Sequence, residues 1–281
     1  MIDKEYKRKV FNRYAKTYDQ FSILQDKISD NLFERLDLIK LKPNLILDLG
    51  CGTGRNGKIL KERYRNMRLV NYDFSENMLL EARKKQQNFF DQILNVKKSD
   101  FVCGDIEELS FSDETFDIIW STSSLQWCNN LSNTFKKIRS ILKPGGLFIF
   151  STFGPNTLFE LKNITEKLSH YQKTNDFIGM HNIENMLTSE GFSNLVIDSE
   201  EFCLTYKNIN KLFLDLKNIG ATSGFEDKKN GLSGKSFLKL IIDGYKQYSY
   251  DGIFPVTYEA IYGHAWNIPK NNEYQPIKLS K

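Results

Sequence analysis

The stretch Ile46-Leu47-Asp48-Leu49-Gly50-Cys51-Gly52-Thr53-Gly54 decides the fold. An apolar run stops at an acid, and three glycines follow at alternate positions. A helix-like segment, Asn56 to Tyr64, comes next. Glycine has no Cβ, so the backbone can turn sharply there and a ligand can lie against it. The first helix turn then presents N–H groups that lack an intrahelical partner. A pyrophosphate-binding loop would need the spacing G-x-G-x-x-G. Here the spacing is D-x-G-x-G-x-G. The acid at the strand end repels a pyrophosphate and suits a cationic ligand.

Further stations follow at fold-compatible spacing. The strand-like Arg68-Leu69-Val70-Asn71-Tyr72 ends at Asp73, 19 residues after Gly54. A ribose-binding acid stands about 20 residues beyond the glycine loop in nucleotide-binding βαβ units. Phe101-Val102-Cys103-Gly104-Asp105-Ile106 reads as a third strand ending in an acid. Phe116-Asp117-Ile118-Ile119-Trp120 reads as the fourth, and Leu142-Lys143-Pro144-Gly145-Gly146 as the turn into a fifth, Leu147 to Thr152. Asp is also favoured after strands for turn reasons alone. Each acid taken singly is therefore equally well an ordinary turn residue. What favours a ligand site is the order and spacing of all the stations together.

Asp48, Gly50, Cys51, Gly52 and Gly54 resemble the first motif of the class I S-adenosylmethionine-dependent methyltransferases. That ligand carries a sulfonium and an α-ammonium, which explains the acid. The resemblance implies a Rossmann-like α/β sheet of seven strands, the last antiparallel. It also implies that Asp73 takes the ribose hydroxyls, that Asp105 bonds the adenine amino group, and that Ile106 packs on the ring. Ser121 after strand four joins the expected cofactor residues. Cys51 reads as a small filler, because no Cys-His pair lies near it in the sequence.

Composition sets bounds. The chain has 281 residues, 40% hydrophobic and 13% aromatic, enough for a real core. No apolar run approaches the ~20 residues needed to cross a bilayer. Met1 to Lys9 is charged with no apolar stretch behind it, unlike a secretory signal, so a cytoplasmic protein is expected. The net charge of +4 is too mild to imply nucleic acid. Cysteines 51, 103, 128 and 203 lack C-x-x-C spacing, and the 3 histidines are dispersed, so neither a disulfide framework nor a metal site is expected. Basic residues cluster at Lys61-Arg63-Arg65-Arg68, Lys84-Lys85, Lys136-Lys137-Arg139 and Lys228-Lys229. Most read as solvated helix faces.

The pattern divides the chain into four parts. Residues 1–42 form a helical N-terminal lid, with stripes Phe11, Tyr14, Ala15, Tyr18 and Ile28, Leu32, Leu36, Ile39. Residues 43–206 form the cofactor-binding core, with a helical segment at 155–192 in which Asn182 reads as an N-cap and Gly191 as a C-cap. Residues 207–252 form a helical insertion or cap, longer than a connection needs. Residues 253–281 hold the last strand, Pro255 to Tyr262, and a tail.

Outside the cofactor stations the chain resembles the malonyl-[acyl-carrier protein] O-methyltransferases of biotin synthesis over almost its full length. The resemblance rests on Phe11-Asn12-Arg13-Tyr14-Ala15-Lys16-Thr17-Tyr18-Asp19 with Leu24-Gln25, on Leu125-Gln126-Trp127-Cys128, and on Ser151 to Leu158. It extends to Met180-His181-Asn182-Ile183, Ile219-Gly220-Ala221-Thr222, Pro255 to Glu259 and Tyr262-Gly263-His264-Ala265-Trp266. It implies methylation of a malonyl thioester on the acyl carrier protein or on CoA. Tyr18, Gln126, Trp127 and His181 are then candidates for positioning the substrate. Two positions depart from the family pattern. Ser121-Thr122 stands where Ser-Asn is usual, and Asp176 where an Arg often precedes Phe177. That Arg would clamp a carboxylate, so its absence leaves the clamp unassigned. Two other readings share the cofactor: a methyltransferase for another small acceptor, and a binding or assembly factor without turnover.

Overall fold

A computed structural model describes residues 2–86, 99–167, 177–220 and 234–268. Asp176 and Lys228-Lys229 lie outside the described residues.

Leu45–Leu49 (β1) is buried along all but its first residue, as a strand covered on both faces must be. It pairs in parallel with Arg68–Asp73 (β2) on one side and Phe116–Thr122 (β4) on the other. Ser99–Cys103 (β3) extends the sheet beyond β2, and Leu142–Phe153 (β5) extends it beyond β4. Phe254–Trp266 (β7) then runs antiparallel between β5 and Ser193–Tyr206 (β6), giving the order β3-β2-β1-β4-β5-β7-β6. This is the seven-stranded sheet with an antiparallel last strand that the motifs imply. Two strands are longer than expected. Leu142 already pairs with Phe116, so the Lys143-Pro144-Gly145-Gly146 segment lies within β5 and its bend falls at Gly145, φ 75°. β7 runs on through Gly263-His264-Ala265-Trp266 because its long partner β6 pairs with it over that whole length.

The helices of the nucleotide-binding half are Arg55–Arg63 (α3), Glu76–Gln86 (α4) and Leu131–Ile141 (α5), with Lys4–Tyr14 (α1) and Ile23–Asp37 (α2) ahead of β1. Phe159–Lys167 (α6), Met180–Ser189 (α7), Ile209–Asn218 (α8) and Gly234–Tyr245 (α9) follow. Leu32, Leu36, Leu161, Leu212 and Tyr245 build the core on one sheet face around Trp120, whose ring stacks on Phe33 at 4.2 Å between centroids. Phe135, Ile138 and Leu187 fill the other face against Phe148 and Phe150. The N-cap of α7 is Gly179, not Asn182, which stands two residues inside the helix. Its C-cap is Glu190, and the expected Gly191 stands one residue beyond, at the left-handed position that closes the helix. Gly191 at φ 88° lets its own N–H reach Thr188 O and the Phe192 N–H reach Leu187 O, the two bonds of a Schellman turn.

Helix α1 belongs to neither core. Asp3 caps it through Tyr6 N–H at 2.9 Å. Its Phe11 and Ala15 pack with Met78, Tyr18, Phe74 and Trp127 across the carboxyl end of the sheet. Asn12 ties it down there. Its side-chain oxygen accepts from Ser75 Oγ at 2.8 Å and from Asn77 N–H at 3.0 Å at the start of α4.

Candidate functional site

Strand order turns back between β1 and β4, the switch point where parallel sheets open a crevice beyond their carboxyl ends. The loop Gly50–Gly54 leaves β1 there and the turn Leu125–Trp127 follows β4. A cleft enclosing about 1360 Å³ up to its open mouth fills that position.

The glycines earn their places by geometry. Gly50, Gly52 and Gly54 sit at φ 77°, 53° and 81°, the left-handed region closed to most side chains. A Cβ on Gly54 would stand 2.6 Å from Ala82 Cβ, whereas one on Gly52 would meet nothing within 4 Å. Gly54 therefore brings α3 against α4, and Gly52 opens the loop toward the cleft. Asp73 fastens this loop: its carboxylate accepts Gly52 N–H and Ser75 N–H, each at 2.9 Å. Burial pushes the Asp73 carboxyl up to about 6, although both amides favour its charged form.

Asp48 lies fully buried beneath the loop; neither carboxyl oxygen makes a well-formed hydrogen bond, and the nearby Gly57 N–H favours its charged form only in part. Burial, then the neighbouring Asp73 charge, pushes it up to about 8. A buried acid so weakly partnered is costly. A cation held by the glycine loop would supply the missing charge, so the residues present fit a sulfonium ligand with an α-ammonium. Cys51 is buried with its thiol pushed well above the usual range by burial and by the two acids, which leaves no thiolate nucleophile.

Of the residues expected at the cofactor, Gly50, Gly52, Asp73, Asp105 and Ile106 line the cleft. Asp48, Cys51, Gly54 and Ser121 stand behind that lining. Ser121 Oγ meets Ser124 Oγ at 2.6 Å, and Ser124 Oγ donates to Leu49 O at 3.2 Å, so Ser121 braces a neighbour that abuts Gly50. Asp105 is already engaged: both oxygens accept from Lys4 Nζ, at 2.6 and 2.7 Å, and Glu107 joins the same ammonium. Lys4 thereby latches α1 to the end of β3.

The acceptor candidates divide. Tyr18 and Trp127 line the cleft, with Phe11 packed 5.8 Å from Trp127 and 6.4 Å from Tyr18 between ring centroids. Burial and Asp73 raise Tyr18 far above the ordinary phenol range, so it stays neutral. Gln126 lines the cleft too, but its amide N–H donates to Ser123 O at 2.5 Å. His181 does not share the cleft. It sits on the first turn of α7 with 85% of its side chain exposed, beside Glu184. Its place after Met180 in a family-like segment suggested proximity, but α7 packs on the opposite sheet face through Ile183 and Leu187.

The motifs missed several lining residues. Lys7, Gln25, Ser123, Phe153, Leu216, Ile219 and Tyr258 come from six separate elements or turns. Gln25 Oε1 and Ser123 Oγ are buried without partners, as polar groups awaiting a ligand would be. Gln25, Phe153, Ile219 and Tyr258 lie in segments that carry the family resemblance, whereas Lys7, Ser123 and Leu216 carried no signal in the sequence. Among the described residues no group of three or more His, Cys, Asp or Glu could hold a metal ion, and no helix is long and apolar enough to cross a membrane.

Comparison with known proteins bears on this geometry. Residues 47–150 match a methyltransferase domain family. The malonyl-[acyl-carrier protein] O-methyltransferase of Methylovorus sp. is 40% identical over 269 residues, covering 95% of this chain and 90% of the relative. The protein of that name from Nitrosospira multiformis is 39% identical over 94% of this chain and 89% of its own. Among solved structures, a methyltransferase-like protein of Bacillus halodurans superposes with a TM-score of 0.58 at 19% identity, covering 85% of this chain and 100% of its own. A phosphoethanolamine N-methyltransferase of Haemonchus contortus, solved with S-adenosyl-L-methionine, does so at 0.55 and 18% identity, covering 86% of this chain and 52% of its own. At such identity these two structures speak for the fold.

Proposed function

Because the chain belongs to the malonyl-[acyl-carrier protein] O-methyltransferases, we propose that it methylates the free carboxylate of a malonyl thioester, using S-adenosylmethionine. The observation that carries this reading is a pair of buried acids, Asp48 and Asp73, behind a glycine loop that opens onto an aromatic-walled cleft. When bound, S-adenosylmethionine supplies an electrophilic methyl group on a sulfonium.

The residues that would hold it are Gly50, Gly52 and Asp73 along the loop, with Asp105 and Ile106 at the end of β3. Asp48 contributes charge from below without contact. A malonyl carboxylate, with a reference pKa near 4, is ionised at neutral pH, so no general base has to create the nucleophile. The described cleft-lining residues accordingly include no histidine or cysteine. What the chain must do is align and dry the reactants. Alignment alone can supply roughly 7–11 kcal/mol of barrier reduction. Phe11, Trp127, Phe153 and Phe177 wall the space, and Leu216 and Ile219 at the end of α8 close it from the insertion. We read α1 and the end of α8, through Leu216 and Ile219, as the roof that keeps water from the carboxylate.

Either the carrier protein or CoA presents the malonyl group in this reading, and a cytoplasmic setting in biotin synthesis goes with it. Methyl transfer from labelled S-adenosylmethionine to a panel of thioesters tests it. Malonyl thioesters should be labelled as base-labile esters, and acetyl thioesters should not. Labelling of an unrelated acid in preference to malonyl would overturn the reading.

A further inference from the structure

Ser123 follows the last residue of β4, where that strand meets the cleft. In a continuing strand its side chain would leave on the face opposite Thr122. Its φ of 47° is left-handed instead, and both successive side chains line the same cleft. A residue with a Cβ is strained there and keeps that conformation only where its surroundings hold it. The Ser123 backbone is held on both sides. Its N–H donates to Ser151 O at 3.0 Å, and its carbonyl accepts from Gln126 Nε2 at 2.5 Å. The hydroxyl is left over, buried and without a partner.

Thr122 stands at the inner end of a hydrogen-bond chain. Arg55 at the start of α3 pairs with Asp30 at 2.7 Å and reaches Ser29 Oγ at 3.4 Å. Ser29 Oγ donates to Asn56 Oδ1 at 2.5 Å, and Asn56 Nδ2 donates to Thr122 Oγ1 at 2.6 Å. Ser29 and Asn56 are buried, so water does not compete for these bonds. Each donor is polarised by the one before it. A hydroxyl that accepts still has its own proton to give. Among the described residues none accepts the proton of Thr122.

Strand order puts this pair on the acceptor's side of the cleft. Asp73 and Asp105, expected at the ribose and adenine, belong to the ends of β2 and β3 on one side of β1, and β4 lies on the other. We propose that the Thr122 and Ser123 hydroxyls hold the malonyl carboxylate; this rests on the functional reading above. Both donate to the carboxylate oxygen that is not methylated. The other oxygen forms the bond to the transferred methyl. The carbon–sulfur bond breaks, its electron pair stays on sulfur, and neither hydroxyl gives up its proton. Neutral donors suit this step better than a salt bridge. They fix the carboxylate without stabilising its charge as fully, and that charge is what the reaction consumes. In the product ester the held oxygen is an uncharged carbonyl, a weaker acceptor. The pair therefore selects for the free acid and against its own product.

The test uses the full-length protein with S-adenosylhomocysteine present, and malonyl-CoA and its methyl ester as probes in calorimetry. Wild-type protein should bind malonyl-CoA at least about tenfold tighter than the ester. Equal affinity overturns the proposal without any variant. Ser123→Ala and Thr122→Val should each weaken malonyl-CoA binding about tenfold and shrink the preference for acid over ester at least about threefold. Thr122→Ser keeps the hydroxyl and should recover most of the loss. If Ser123→Ala folds poorly, Ser123→Gly removes the same hydroxyl and suits the left-handed φ. Equal weakening of acid and ester would mean a packing role and overturn the assignment. Weakened S-adenosylhomocysteine binding with malonyl-CoA unaffected would put the hydroxyls on the cofactor's own carboxylate and overturn it too. Methyl transfer by wild type separates the two levels. If wild type methylates malonyl-CoA while the variants keep its full preference for the acid, only the hydroxyl assignment fails. If wild type methylates no malonyl thioester, the functional reading fails and the pair with it.

Discussion

Asp48 provides the sharpest physical consequence, because its proton should leave when the cationic ligand arrives. Burial and Asp73 hold Asp48 at about 8 and Asp73 itself at about 6 without ligand. At pH 7 those values leave Asp48 about 0.9 protonated and Asp73 about 0.1 protonated. A sulfonium and an ammonium above the loop favour both charged forms. Binding of S-adenosylmethionine at pH 7 should then release close to one proton. Affinity should rise roughly tenfold per pH unit between pH 6 and 8 and level off above. The assay is calorimetry in buffers of different ionisation enthalpy. Asp48→Asn should cut the release to about 0.1 proton, the share of Asp73. The same shift has a stability side. Folded Asp48 keeps a proton that the unfolded chain loses near pH 4, so this group's contribution is complete below that and is lost as pH rises to about 8. Release below about 0.2 proton at pH 7 would refute the reasoning, because Asp48 would then be ionised without ligand.

Other expectations follow from single contacts. Gly54→Ala forces a Cβ into Ala82 at φ 81° and should cost roughly 2–5 kcal/mol, read as a lowered denaturation midpoint. Asn12→Ala removes the acceptor for Ser75 and Asn77 and should expose α1 to limited proteolysis, with about 1 kcal/mol lost. Lys4→Met frees Asp105 from its latch and should likewise loosen α1, detectable as faster amide exchange across residues 4–14 while the sheet stays protected. If an acidic carrier protein presents the malonyl group, its KM should climb with ionic strength while that of malonyl-CoA moves little.

The sheet was legible because its signals are local. β1, β2 and β3 each end in an acid or a glycine loop whose chemistry is readable in a few residues, as Asp48 to Gly54, Asp73 and Asp105 are. The division of labour within that loop was not. Whether Gly54 faces ligand or Ala82, and whether Ser121 touches ligand or only Ser124, depends on which side of the backbone another element packs. His181 illustrates the opposite error. Its surroundings in sequence look family-like, but α7 turns it to solvent. Lys7 could not be read at all. On the sequence it is one basic residue in Lys7-Arg8-Lys9, and only the approach of Trp127 and Gly220, at least 120 residues away, makes it a buried cation. Much of the remaining basic surface is occupied within the chain. Arg63 pairs with Asp37, Arg68 with Asp100, and Lys137 donates to Glu107 O.

The central claim is that this cleft methylates a malonyl carboxylate, and intact-mass measurement tests it most directly. Malonyl-loaded acyl carrier protein is incubated with the enzyme and S-adenosylmethionine, beside an acetyl-loaded control. The account predicts a gain of one methylene on the malonyl species, with the acetyl species unchanged. No gain on malonyl carrier protein or malonyl-CoA, while S-adenosylmethionine is shown to bind, would contradict it.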